Sequence, residues 1–253
     1  MDLDRLYLPS IITIFVFAVA AFFVLLKITA PYGRHHSRKF GPSIDARTSW
    51  VIMELPAIVL FTASFFAGTN ALSFVPIVFF TLWQAHYIHR TLIFPFRMKL
   101  GGKTSSLLTT ALAVVFNVLN GFNNGWALSR ETSHYDASWL FDPRFIAGAA
   151  LFVIGFVINR QSDAILRRLR GPGETGYKIP QGGLYRYVSC PNYLGELVEW
   201  SGWALATFNL AGLAFLTFSV ANLLPRALSH HKWYKERFPD YPSDRRAIIP
   251  GVL

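Results

Sequence analysis

A carboxyl inside an apolar run is the first group in this chain that could do chemistry. Glu54 lies in Trp50-Val-Ile-Met-Glu-Leu-Pro-Ala57, and a further apolar stretch follows. An ionisable side chain at membrane depth is costly and usually marks function, and a carboxyl that keeps its proton there is a hydrogen-bond donor. Pro56 has no N–H, so it should disturb the helix and free carbonyls beside the carboxyl. The alternative puts Glu54 at the interface, reaching for water. The next apolar run ends in Trp83-Gln-Ala-His-Tyr-Ile-His-Arg90, where Gln84, Tyr87 and Arg90 recur every three residues and share a helical face. Tyr87 offers a phenol donor there, and it fits an aromatic-belt anchor equally well.

Further along, Cys190-Pro-Asn-Tyr-Leu-Gly-Glu-Leu-Val-Glu-Trp200 carries Asn192, Glu196 and Glu199 at i, i+4 and i+7, one polar stripe on an apolar helix. Two carboxylates and an amide aimed inward suit a bound polar ligand better than a helix–helix seam, because the acids need partners. Basic residues just before this helix and after the last apolar run are the expected partners. Arg226 and His230 are four apart, with Tyr234 one further turn on. Gly171-Pro-Gly-Glu-Thr-Gly176 matches G-x-G-x-x-G, with Glu196 at about the offset of a dinucleotide fingerprint. The segment before it, Ser162–Arg170, reads as a helix rather than a strand, and Pro180 and Gly182-Gly183 prevent a long helix after it. The glycines are therefore a helix C-cap and loop. His35, His36 and His231 have no Cys/His cluster around them and read as solvated loop residues, so no metal site is expected. There is no G-x-S-x-G and no phosphate-binding loop motif to support hydrolysis or phosphoryl transfer.

The elements that must position these residues follow from composition. The chain has 253 residues, of which 53% are hydrophobic, 16% aromatic and only 15% charged, with a mean hydropathy of +0.35. Soluble domains carry about 25% charged residues, which excludes a soluble α/β enzyme, a disordered chain and, with the single Cys190, a disulfide scaffold. Seven stretches read as spans: Leu8–Ala30, Trp50–Ala67, Leu72–Ile88, Ser105–Phe122, Phe145–Ile158, Tyr193–Phe208 and Leu210–Leu228. The first lacks a signal-peptide cleavage site and reads as a retained helix. Of the 24 Lys and Arg residues, 20 fall on alternate sides: in the loops after spans one, three and five, and in the tail. The positive-inside rule puts the N-terminus outside and the C-terminus in the cytoplasm. The net charge of +10 is thus topology and lipid contact, with no nucleic-acid partner implied. The expectation is an all-α, seven-helix membrane protein, one domain over residues 1–253, with residues 143–253 carrying most of the ligand site.

These residues together resemble the membrane steroid 5α-reductases (3-oxo-5α-steroid 4-dehydrogenases). The likeness is carried by Ser162-Asp163, Leu166-Arg167, Leu169-Arg170, Glu174, Tyr177, Ile179-Pro-Gln-Gly-Gly-Leu184, Tyr187-Val-Ser189, Asn192, Leu194-Gly-Glu196 and Glu199-Trp200. It continues in His230-His231, Tyr234, Phe238, Asp240-Tyr-Pro242, Ala247-Ile-Ile-Pro250, Glu54-Leu-Pro56, His86-Tyr87 and His89-Arg-Thr91. The resemblance implies a monomeric reductase that binds NADPH from the cytoplasmic side and takes a steroid enone from the bilayer. Its catalytic pair falls on Glu54 and Tyr87. Its cofactor residues fall on Asn159, Asp163, Arg170, Tyr177, Lys178, Asn192, Glu196, Glu199, Arg226, His230 and Tyr234. The sequence departs from the family pattern at Lys178, commonly arginine, at Met53, where glutamine is expected, and at Gly176, where serine is expected.

Two alternatives remain at this stage. Membrane methyltransferases and sterol reductases look similar in the C-terminal helices, although a methyltransferase gives Glu54 no task. A non-enzymatic membrane protein would bind no nucleotide. The host membrane is either a bacterial inner membrane or the endoplasmic reticulum.

Overall fold

The computed structural model describes residues 2–29, 41–100, 102–130, 133–169, 171, 174 and 176–253. Its helices are α1 (Leu3–Lys27), α2 (Ala46–Phe66), α3 (Phe74–Ile88), the single turn α4 (Phe94–Arg97), α5 (Leu107–Ser129), α6 (Pro143–Arg168), α7 (Pro191–Thr207) and α8 (Leu210–Arg237). A five-residue π-helical turn, His89–Ile93, joins α3 to α4. Each of the seven apolar segments overlaps one of the long helices. Four of those helices, α1, α2, α6 and α8, are long and apolar enough to cross a membrane.

Local chemistry sets the helix starts. The Asp45 carboxylate accepts from the backbone N–H groups of Arg47 and Thr48 at the head of α2, and Asp142 does the same for Arg144 in α6. The Asn209 side chain caps α8 through Gly212 N–H, and Pro143 and Pro191 occupy first turns, where no N–H is needed.

Several expectations are corrected. The fold is mostly helical, as expected, with one short addition: β1 (Ser43–Asp45) pairs antiparallel with β2 (Thr104–Ser106) and ties together the leads into α2 and α5. The fifth apolar segment and the helix expected over 162–170 are one helix, α6, running on to Arg168. Likewise α5 extends to Ser129 and α8 to Arg237, since polar residues continue a helix that sequence hydropathy ends. Pro56 does not break α2, which runs through it to Phe66. His231 is no loop residue: it lies on α8 and shares a 2.6 Å hydrogen bond with Ser189 Oγ.

Many apolar side chains face outward, around an apolar core that also holds polar ones. Val16, Val19 and Phe23 of α1, Leu112 and Val115 of α5, and Val153, Ile154 and Val157 of α6 are exposed. Asn117, Asn120, Asn123 and Asn124 of α5 and Glu199 of α7 are buried. That arrangement is what a hydrocarbon solvent selects. Small residues let the helices approach. A Cβ added at Gly155 would collide with Glu199 N, and one at Gly195 would lie 2.5 Å from Asn159 N. Gly148 and Gly202 repeat the pattern one heptad away on the same two helices. The α6–α7 pair is therefore held backbone to backbone, which sets Asn159 against the polar stripe of α7.

Candidate active site

Arg90 lies where three helices bring their charges together. The π-helical turn that carries it adds a residue to the helical turn, a distortion frequent at functional sites. Its guanidinium lies over the Trp50 ring at 4.6 Å and the Phe94 ring at 5.2 Å, while Trp50 Nε1 donates to the Arg90 carbonyl at 3.1 Å. Held in this aromatic cradle, Arg90 Nε is 3.6 Å from Glu54 Oε1 and Nη2 is 3.0 Å from Glu196 Oε1. One cation thus bridges a carboxylate on α2 and another on α7.

The bridge continues into α6. Asn159 Nδ2 donates to Glu196 Oε1 at 3.2 Å and to the Asn192 carbonyl at 3.0 Å. Asn192 Nδ2 in turn donates to Asp163 Oδ1 at 3.5 Å. On the α2 side, Asn117 Nδ2 reaches the Met53 carbonyl at 2.7 Å and Glu54 Oε2 at 3.4 Å. Glu199, fully buried, turns its Oε1 to His86 Nδ1 at 2.6 Å. The expected partners of the α7 acids are thereby corrected: they come from α3 and the π turn, not from the loop before α7 or the end of α8.

Tyr87 is buried, so it is no interfacial anchor. Its ring packs against Trp83 at 4.7 Å and Trp200 at 6.0 Å, and its hydroxyl accepts from Asn120 Nδ2 at 3.4 Å. Gln84, on the same face, instead donates to Thr62 Oγ1 and forms a seam with α2.

The remaining expected residues form a second group toward the ends of α7 and α8. Arg226 Nη2 donates to Tyr193 OH at 2.8 Å and Nη1 to Asn222 Oδ1 at 2.7 Å, while His230 Nε2 shares a 3.2 Å hydrogen bond with the same Tyr193 hydroxyl. Tyr234 is buried in a stack with Tyr241, rings 5.2 Å apart. Tyr177 sets its edge against Trp233 and accepts from Lys103 Nζ at 3.5 Å. Lys178 pairs with Glu174 at 2.6 Å on the surface, and this pair and the Gly171 N–H lower the Glu174 carboxyl below the ordinary range. Arg170 lies outside the described residues. Arg90, His86, Asn117, Asn120 and Asn124 were not among the expected site residues. Asn117, Asn120 and Asn124 stand at i, i+3 and i+7, the same signal that singled out the α7 stripe.

The sequence pattern described as 3-oxo-5-alpha-steroid 4-dehydrogenase matches residues 103–253, from the lead into α5 through α8. The 3-oxo-5-alpha-steroid 4-dehydrogenase 1 of Bos taurus is 45% identical over 236 residues, covering 91% of both chains. The chain belongs to the 3-oxo-5-alpha-steroid 4-dehydrogenase family. The Rattus norvegicus protein of the same name is 42% identical, covering 100% of this chain and 98% of its own. Steroid 5-alpha-reductase DET2 of Arabidopsis thaliana is 38% identical over 98% of each. The full-length matches extend the likeness to the helices that carry Glu54 and Tyr87. With four helices fit to cross a bilayer, this family member is an integral membrane oxidoreductase.

Proposed function

We propose that this chain uses NADPH to reduce the Δ4 double bond of a 3-oxo-Δ4 steroid, giving the 5α-reduced 3-oxo product. One observation carries the reading. The Glu54–Arg90–Glu196 bridge joins the catalytic carboxyl on α2 to the amides and acids of α6 and α7, in the buried interior of helices with apolar outer faces. The relatives named above add the reaction class.

The residues fit the cofactor. Its phosphates need cations, its amide and ribose need mixed donors and acceptors, and its rings need aromatic neighbours. Arg226, Lys178 and Arg170 would hold phosphate, with arginine suited to bidentate contact. Asn159, Asp163, Asn192, Glu196 and Glu199 would take the polar groups, and Tyr177, His230 and Tyr234 the rings. Among the described residues, Glu199 Oε2 and Arg160 Nη1 are buried without a hydrogen-bond partner, so a polar ligand has bonding capacity to use. When bound, NADPH supplies the hydride that arrives at C5.

As that bond forms, electrons from the double bond move onto the carbonyl oxygen and an enolate develops. Tyr87 and a protonated Glu54 would donate to that oxygen from two sides, and removing one such donor typically costs about 2.7–4 kcal/mol of barrier. Asn117 and Arg90 hold the Glu54 carboxyl in place. Water or another acid then returns a proton to C4, which completes addition of one hydride and one proton. The apolar shell keeps water from the developing charge and admits a lipid-soluble substrate from the side. In this orientation seven helices span the bilayer, the N-terminus is outside, and NADPH enters from the cytoplasmic face.

The test uses purified full-length protein with NADPH and progesterone, following nicotinamide oxidation and product mass. A product two mass units heavier, absent with Glu54→Gln, is expected. Methyl transfer from S-adenosylmethionine to a prenylcysteine acceptor, with no reduction, would overturn the assignment.

A further inference from the structure

A line of buried hydrogen-bond donors on α5 and α7 runs into Tyr87. Trp203 Nε1 on α7 donates to Asn124 Oδ1 at 2.8 Å. Asn124 Nδ2 donates to Asn120 Oδ1 at 2.9 Å and to the Asn120 carbonyl at 3.0 Å. Asn120 Nδ2 donates to Tyr87 OH at 3.4 Å. All four side chains are buried. Burying two primary amides in an apolar bundle costs free energy unless every group is used, and these amides are used in one direction only.

We propose that Trp203, Asn124 and Asn120 are positioning residues, forming a one-way relay that fixes where the Tyr87 proton points. The inference rests on the reading of Tyr87 as the donor to the enone oxygen. The polarity of the relay follows from chemistry at both anchors. An indole N–H can only donate, so Asn124 must present its oxygen to Trp203. A backbone carbonyl can only accept, so Asn124 must present its NH2 to Asn120. With its oxygen thereby engaged, Asn120 has only its NH2 left for Tyr87. No amide can turn over without putting two donors or two acceptors face to face.

The consequence falls on the phenol. A phenolic O–H lies in the ring plane and has two settings, and the ring itself is clamped by Trp83 and Trp200. An N–H arriving at the oxygen from Asn120 occupies one in-plane direction, so the proton takes the other. Tyr87 then meets the substrate with its proton already aimed, and no rotor has to be ordered as charge builds on the carbonyl oxygen. The Asn120 link is the longest of the line, and catalytic hydrogen bonds of this kind shorten in the reacting complex.

The test reads the hydrogen bond itself. A steroid carrying 13C at the C3 carbonyl is bound with NADP+, which prevents turnover, and its carbonyl stretch is recorded by infrared difference spectroscopy. Wild type, Trp203→Phe, Asn120→Leu and Tyr87→Phe are compared, with kcat and KM measured under NADPH. The stretch should lie at lower wavenumber in wild type than in hexane, lose part of that shift in Tyr87→Phe, where Glu54 still donates, and move a smaller distance toward the free-carbonyl value, with broadening, in Trp203→Phe and Asn120→Leu. For the two relay variants kcat should fall roughly 10-fold with KM within about 2-fold. Trp203→Phe keeps an aromatic ring in the core, so the test stands if Asn120→Leu does not fold. An unaltered stretch and kcat in Trp203→Phe would overturn the relay. A wild-type shift that survives Tyr87→Phe undiminished would instead overturn the donor assignment on which the relay depends.

Discussion

Around Tyr87 the buried partners are neutral, two asparagine amides and an indole; around Arg90, three residues on, they are carboxylates. The amide side is directional, each link running from a donor to an acceptor. The charged side is bridged but holds capacity in reserve, with Glu199 Oε2 buried and unbonded among the described residues. Neutral amides can sit permanently in an apolar interior once paired, and so suit a donor that must always point the same way. Buried charges depend on one another, and removing one partner leaves an uncompensated ion. They suit a ligand that brings its own charge and reorganises the pairs on binding. Under the proposed function, one side orients the substrate donor and the other responds to the cofactor.

Breaking the charged side should have the larger effect. Arg90→Met strands Glu196 in the interior, and loss of one partner from a buried pair costs about 3–5 kcal/mol; thermal unfolding in detergent should report that loss, together with loss of NADPH-induced stabilisation. Tyr87→Phe strikes the other side. It should lower kcat by about 10²–10³-fold while the NADPH dissociation constant stays within about twofold, a split that binding and single-turnover kinetics resolve. Asn192→Ala removes a cofactor-side amide and its 3.5 Å contact to Asp163, and should weaken NADPH about 10-fold with the bound-state turnover unaltered. Asp142 lies outside both regions. The Arg144 guanidinium and N–H hold its carboxyl down at about 2, below the ordinary value of about 3.9. Its small contribution to stability is therefore complete above that ordinary value and is lost as pH falls toward 2. Asp142→Asn should unfold slightly earlier than wild type at pH 7 and together with it near pH 2, with cofactor affinity unchanged throughout.

The legible part of this molecule was whatever changes hydropathy. Apolar runs located all seven long helices, because burial in lipid is written as composition. The helices run past the apolar runs where polar residues follow, as in α6, where Asn159 joins the fifth run to the helix read over 162–170, and in α8 beyond Leu228. Glu54, Asn192, Glu196 and Glu199 stood out as costly groups at helical spacing, and the fold brings Glu54, Asn192 and Glu196 into one network. Their partners were harder to see. Arg90 reaches both Glu54 and Glu196 only because a π turn follows α3 and two aromatic rings hold the guanidinium, and neither condition has a signature in spacing alone. The α5 amides did have one, Asn117, Asn120 and Asn124 on one face, but neutral residues do not announce their cost as carboxylates do. The β1–β2 ribbon, three residues on each strand, is set by how the leads into α2 and α5 meet and leaves no periodic trace.

The most direct measurement follows the two hydrogens. Turnover of a Δ4-3-oxo steroid with NADPH deuterated at the transferring position, in ordinary water, should give a 5α product carrying deuterium at C5 and none at C4. The converse experiment, unlabelled NADPH in heavy water, should place the label at C4 alone. Label at C4 from the nucleotide, or a C5 hydrogen derived from water, would contradict hydride delivery to the β-carbon and with it the donor roles assigned to Tyr87 and Glu54.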